Sequence, residues 1–210
     1  MPTFELKDIM NFERTYRKTL MNKISGLKSV NLIGSKSAES ISNVSIFNSV
    51  VHIGANPPLL GFIMRPLTVE RHTYENIKST GFYTINHVSE SIHRNAHRTS
   101  AKFEAGTSEF DECGLTEKYM GNFAAPFVGE SQIQIGLSFQ EEHLIEANKT
   151  ILIIGKVEKL LLPDHAVKDD GDIDLSILQS VCVGGLDTYY SSKKIGRCAY
   201  ARPHLPIQKN

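Results

Sequence analysis

The residues of this chain whose types and spacing could do chemistry fall into a few groups. Asn43, Ser45 and Ser49 sit at odd positions of a stretch rich in Val, Ile and Phe, so an alternating strand would present them on one face. That pattern belongs equally to the polar outer face of an ordinary strand and to a row of hydrogen-bonding groups. Arg65, Arg71, His72 and Thr73 gather around the start of an expected helix. Free backbone N–H groups, a hydroxyl and a cation at a helix start can hold an anion, although Arg71 and His72 taken singly also read as solvated helix residues. Lys102, beside Thr99 and Ser100, adds a further cation. His93 and His97 have the spacing of a metal pair, but Arg94 lies between them and no third ligand stands nearby, so no metal is expected. Tyr189 and Tyr190 follow Gly184 and Gly185, offering either a stacking surface or core packing.

Other chemistries lack their residues. No G-x-G-x-x-G follows a strand and no G-x-x-x-x-G-K-[ST] occurs, which excludes a separate Rossmann or P-loop domain. Neither a Ser-His-Asp arrangement nor a paired-carboxylate motif stands out, and no catalytic acid or base is nominated. Asp169, Asp170, Asp172 and Asp174 read as a solvated acidic turn, because Gly171 is wrongly placed for a calcium loop and no glutamate closes it. Cys113, Cys182 and Cys198 are too scattered for a disulfide scaffold or zinc site, and a reducing cytoplasm fits them. The 23 basic residues balance 23 acidic ones, so no global field draws the chain to nucleic acid or a membrane. An anionic ligand must therefore be held locally.

The elements that must position these residues are strand-rich. About 40% apolar content over 210 residues favours one domain with one core. An amphipathic helix is expected over 8–22, ended by Gly26. Strands over 27–35 and 41–53 form a hairpin, and Asn56, Pro57 and Pro58 break the second strand before a third over 59–64. A helix over 68–80 stops at Gly81, a buried strand covers 82–87, and 90–98 has helical character. A long excursion runs to residue 122, followed by a hairpin of strands over 132–145 and 150–162. The tail over 183–206 is expected to pack over an edge or a partner. No leader-like apolar run opens the chain, and no run approaches the roughly 20 residues that cross a bilayer.

Within this pattern, Ser42-Asn43-Val44-Ser45-Ile46-Phe47-Asn48-Ser49-Val50 followed by Asn56-Pro57-Pro58-Leu59 resembles the first flavin-binding stretch of the flavin-reductase-like family. Ile46 stands where that family's pattern carries proline. Arg71-His72-Thr73-Tyr74-Glu75-Asn76-Ile77 with Thr80-Gly81-Phe82-Tyr83-Thr84-Ile85-Asn86 is similar to its second signature. Weaker blocks follow at Ser108-Glu109-Phe110-Asp111 and at Val183-Gly184-Gly185 with Asp187 and Tyr189, so the resemblance covers roughly residues 27–200 of a single domain over 1–210. It implies a mainly β split β-barrel with peripheral helices, assembled as a homodimer with FMN at the subunit interface.

On that resemblance, Asn43, Val44, Ser45, Phe47, Asn48 and Ser49 hold the isoalloxazine. Arg65, Arg71, His72 and Thr73 surround the phosphate. Apart from the resemblance, Lys102 reads as reaching the phosphate or a nicotinamide, His97 as lining the flavin pocket, orienting a substrate or simply standing at the surface, and Tyr189 as covering the ring from the partner subunit or packing in a core or interface. NAD(P)H then stacks directly on the flavin. The expected function is an FMN-dependent NAD(P)H:flavin reductase, or the reductase component of a two-component system with a monooxygenase partner. The alternative is a non-catalytic FMN-binding or electron-carrier protein. A third possibility, a pyridoxamine-phosphate-oxidase-like enzyme on the same barrel, would need a stronger basic cluster.

Overall fold

The structure, a computed structural model, describes residues 1–104 and 106–203. Of the expected tail over 183–206, residues 204–206 lie outside the described residues.

Two helices, α1 (Leu6–Asn11) and α2 (Arg14–Lys23), stand in place of the single helix expected over 8–22. The break has a local cause. The Glu13 carboxylate accepts from the backbone N–H groups of Thr15 at 2.7 Å and Tyr16 at 2.9 Å, and so caps a new helix.

After the short β1 (Lys28–Ser29), β2 (Asn31–Lys36) and β3 (Ser42–Phe47) form the expected hairpin. The continuous strand expected to residue 53 is interrupted at 48–50 before β4 (Val51–Ala55), which is followed by β5 (Pro58–Met64). At the interruption the Ser49 hydroxyl donates to the carbonyl of Ile63 and accepts from its N–H, each at 3.1 Å, clipping the bend onto β5.

Helix α3 (His72–Thr80) begins later than residue 68, with Arg71 as its N-cap, and stops at Gly81, whose φ of 76° is the left-handed conformation glycine adopts freely. Strand β6 (Phe82–His87) and helix α4 (His93–Arg98) follow. The long excursion carries more structure than its composition predicts: α5 (Glu109–Cys113), β7 (Glu117–Lys118) and β8 (Phe127–Val128). The long hairpin is β9 (Gln134–Ile145) with β10 (Thr150–Leu161), and the chain then forms β11 (Val181–Gly184) and β12 (Thr188–Ser191). The Asp170, Asp172 and Asp174 carboxylates of the acidic turn pair with Lys168, Lys194 and Arg197.

The main sheet runs β3-β2-β6-β9-β10-β5-β4, and its pairings are antiparallel. Strands β3 and β5 lie far apart in that order, yet the Phe47 and Phe62 ring centroids are 5.0 Å apart in an edge-to-face contact. The sheet therefore curls until its distant strands meet. Register shifts at Ile154/Gly155 and Val157/Lys159 bend β10 for this purpose. The interior holds the fully buried ring of Tyr83 and Ile33, Phe62, Ile85, Leu137 and Ile153, the last five each stabilising the fold by about 1.5–3 kcal/mol. Alternation sends Leu32 and Val44 to the opposite face, where Val30, Ile92, Ala96, Phe110 and Val183 make a second core beneath α4, α5 and β11.

Candidate functional site

Strand β3 pairs only with β2, so its other edge is open, and a cavity of about 630 Å³ lies along it. That volume is within the range of about 300–1,000 Å³ typical of small-molecule sites. Every residue expected to contact a cofactor lines this cavity except Val44, which is fully buried in the second core. Val44 owes its place to the alternation of β3: its odd-numbered neighbours face the ligand side while it faces away.

Several expected ligand-binding groups are already engaged with the protein. Asn43 donates through Nδ2 to Glu109 Oε2 at 2.7 Å, and its Oδ1 accepts from the Thr73 hydroxyl at 2.9 Å and the Ser35 hydroxyl at 3.3 Å. Asn76 donates to Ser35 at 3.1 Å and completes a buried network joining β2, β3, α3 and α5. Asn48 donates to the carbonyl of Gly185 at 2.9 Å, tying the end of β3 to the turn between β11 and β12. Ser49 is spent on β5. Asn43, Asn48, Ser49 and Thr73 thus shape the cavity wall, whereas Ser45, among the described residues, has no side-chain partner and faces the cavity.

The cavity is lined by the carboxylates of Glu70, Glu109 and Asp187 as well as by cations. Among the described residues, Arg65, Arg71 and Lys102 form no ion pair. Arg71 Nε is buried and, among the described residues, has no hydrogen-bond partner, which costs stability unless a ligand acceptor reaches it. It stands at the N-cap of α3, whose first-turn N–H groups are free for an anion. His72 approaches Glu70 at 3.7 Å, an exposed pair that leaves the ring accessible. These residues fit a phosphate group. A second cavity of about 420 Å³ shares Asn43, Glu70 and His72 with the first and adds Glu39 and Glu75, carboxylates that oppose an anion.

Tyr189 stands in the cavity of its own chain. Its hydroxyl lies 2.9 Å from His97 Nδ1, and its ring contacts those of His93 and His97 with centroids 5.5 Å and 5.7 Å away. Burial, reinforced by the nearby Asp187 carboxylate, pushes its phenol above the usual tyrosine range and keeps it protonated. Among the described residues no group of three metal-ligating side chains occurs, and His93 turns its Nδ1 to the Glu90 carbonyl at 2.6 Å.

Sequence reasoning missed Glu109, Phe103 and Leu186 as cavity residues. Glu109 is only 6% exposed, and its carboxyl is raised above the usual range by burial, against the opposing pull of its hydrogen bonds and of His72. A glutamate at the head of a short acidic helix carries no signal of that burial, since the partner that donates to it, Asn43, is remote in sequence.

The chain superposes on the crystal structure of a protein from Shewanella frigidimarina assigned as a flavin reductase with a split barrel domain, with TM-score 0.93, 43% identity and coverage of 96% of this chain and 100% of that one. Nitrilotriacetate monooxygenase component B from Bacillus cereus shares the fold at TM-score 0.81 and 18% identity, covering 94% and 98% of the two chains. Flavoredoxin of Desulfovibrio vulgaris does so at TM-score 0.71 and 23% identity, covering 83% and 92%. No curated protein matches the chain. The curled sheet closed by Phe47 and Phe62 is a split barrel. Residues 27–176 match the model of the flavin reductase like domain, and the chain belongs to that family.

Proposed function

We propose that this protein is an FMN-dependent oxidoreductase that takes hydride from NADH or NADPH and delivers electrons to free flavin, oxygen or a partner monooxygenase. The observation that carries this reading is the unpartnered, buried Arg71 Nε at the start of α3, at the wall of a cavity bordered by an open strand edge. A flavin mononucleotide, when bound there, supplies the hydride-accepting ring. Arg71, with Arg65 and the first N–H groups of α3, holds the phosphate. Ser45 and the open backbone edge of β3 hydrogen-bond the ring's polar rim, while Phe47, Phe103 and Leu186 provide apolar walls that exclude water. No Rossmann or P-loop motif occurs in these 210 residues, and this reading has the nicotinamide meet the flavin in the same cavity.

A second copy of the chain, closing the open side of this site, and a monooxygenase partner both belong to this proposal. The name of the Bacillus cereus neighbour, a monooxygenase component, supports the latter. A non-catalytic electron carrier is the competing reading, and the flavoredoxin neighbours share its fold. The test is an absorbance spectrum of the purified protein during titration with FMN, then anaerobic addition of NADH and of NADPH. Saturable uptake at micromolar FMN with bleaching by either nucleotide supports the enzyme. Uptake with reduction by dithionite alone identifies the carrier, and no uptake removes both. Sedimentation velocity reads the dimer in the same sample.

A further inference from the structure

His93 and His97 lie one turn apart on α4 and both touch the Tyr189 ring, yet their ring nitrogens meet opposite kinds of partner. His93 Nδ1 faces the Glu90 carbonyl at 2.6 Å, and a carbonyl can only accept, so this nitrogen carries the proton. His97 Nδ1 faces the Tyr189 hydroxyl at 2.9 Å. Among the described residues that hydroxyl has no other partner, and where it donates to Nδ1 that nitrogen presents its lone pair. The neighbouring Asp187 and the partial burial of the phenol keep it in the protonated, donating form. With Nδ1 accepting, the His97 ring bears a hydrogen on Nε2, the nitrogen with no protein partner among the described residues, in a side chain that lines the cavity.

Depth in the cavity separates two ligands. Thr73 is buried, Ser45, Phe47 and Arg71 are half-buried, and His97 is exposed at the rim. A ligand seated on β3 and α3 takes the deep wall, and the next planar molecule to enter meets His97. Resting on the proposed flavin chemistry, we infer that His97 is a substrate-binding residue whose Nε2–H donates to the carboxamide oxygen of a nicotinamide ring, with Tyr189 as the positioning residue that selects this tautomer.

The test combines a tautomer measurement with kinetics on the FMN-loaded protein. Long-range 1H–15N correlation spectra of the wild type should show His97 protonated at Nε2 and His93 at Nδ1, and Y189F should remove the His97 preference. H97A and Y189F should each raise the KM for NADH or NADPH by about tenfold, the loss expected for one hydrogen bond, with the FMN dissociation constant unchanged. H97Q, which places an N–H donor near the Nε2 position, should recover most of that loss, whereas H97N, whose shorter amide cannot reach it, should not.

A His97 protonated at Nδ1 overturns the inference, as does equal behaviour of H97Q and H97A. A rise in the FMN dissociation constant with unchanged KM overturns it too, because the donor would then serve the flavin. A wild type that binds FMN but oxidises neither nucleotide fails the functional proposal itself. That result is visible before any variant is made, and it removes the nicotinamide assignment with it.

Discussion

The side-chain amide of Asn43 donates to the carboxylate of Glu109 at 2.7 Å, tying the open strand of the barrel to the helix that covers it. Both residues are almost wholly buried, and Asn43 also accepts from Thr73 and Ser35. Replacing Asn43 by Ala strands three partners without adding a substitute. N43A should lose about 2–3 kcal/mol in urea unfolding and bind FMN more weakly, because Thr73 and the start of α3 lose their anchor.

Glu109 should impose a pH dependence on stability. Its carboxyl is raised above the ordinary value in the fold, mainly by burial, so the unfolded chain ionises it more readily. The folded state therefore holds its proton longer, and the associated stability is full at acid pH and lost as pH rises through the raised value. E109Q, which keeps an acceptor for Asn43 and cannot ionise, should be less destabilised than the wild type by that rise. Thermal midpoints of both proteins between pH 4 and pH 8, which is about the span of a perturbed carboxyl, should diverge toward neutral pH in favour of the variant. Parallel curves would refute the assignment.

Arg71 should dominate recognition of the phosphate. Its Nε is buried and unpartnered, so R71A removes a charge-assisted donor already held at the α3 start. FMN affinity by fluorescence titration should fall about ten- to a hundredfold, with riboflavin affinity little changed. R71K should recover only part of the loss, since lysine lacks the planar fork.

Tyr83 and Gly155 make a purely structural prediction in the barrel interior. Among the described residues the buried Tyr83 hydroxyl has no partner, and a Cβ at Gly155 would collide with it. G155A should be destabilised by at least about 1–3 kcal/mol, since the phenol has nowhere to retreat. Y83F should be neutral or stabilising in the same unfolding assay, because it deletes an unsatisfied polar atom and preserves the ring's contacts with Phe62.

Much of the fold was legible before any coordinates. The hairpin of β2 with β3, the stop at Gly81 and the long β9–β10 hairpin follow from local chemistry: alternating β-branched residues, a left-handed glycine, and turn residues between two strand-like runs. The interruption of a strand at residues 48–50 was not, because Asn48, Ser49 and Val50 suit a strand locally, and what bends them is the grip of Ser49 on Ile63. The division of the first helix was equally hidden, although Glu13 as a cap is a local device that a closer reading of 12–16 could have found.

The candidate site divides along the same line. By itself the sequence determined that Asn43, Ser45 and Phe47 share one face, because a strand's side-chain period is two whatever surrounds it. Tertiary structure alone decided which of those groups stay open to a ligand. Thr73, Asn48 and Ser49 are committed to partners in other strands and turns, Arg71 is left without one, and Tyr189 meets His97 within a single chain. Hydrogen-bond capacity belongs to a residue, but its use is settled only when remote segments are packed against each other, and no local pattern encodes that pairing.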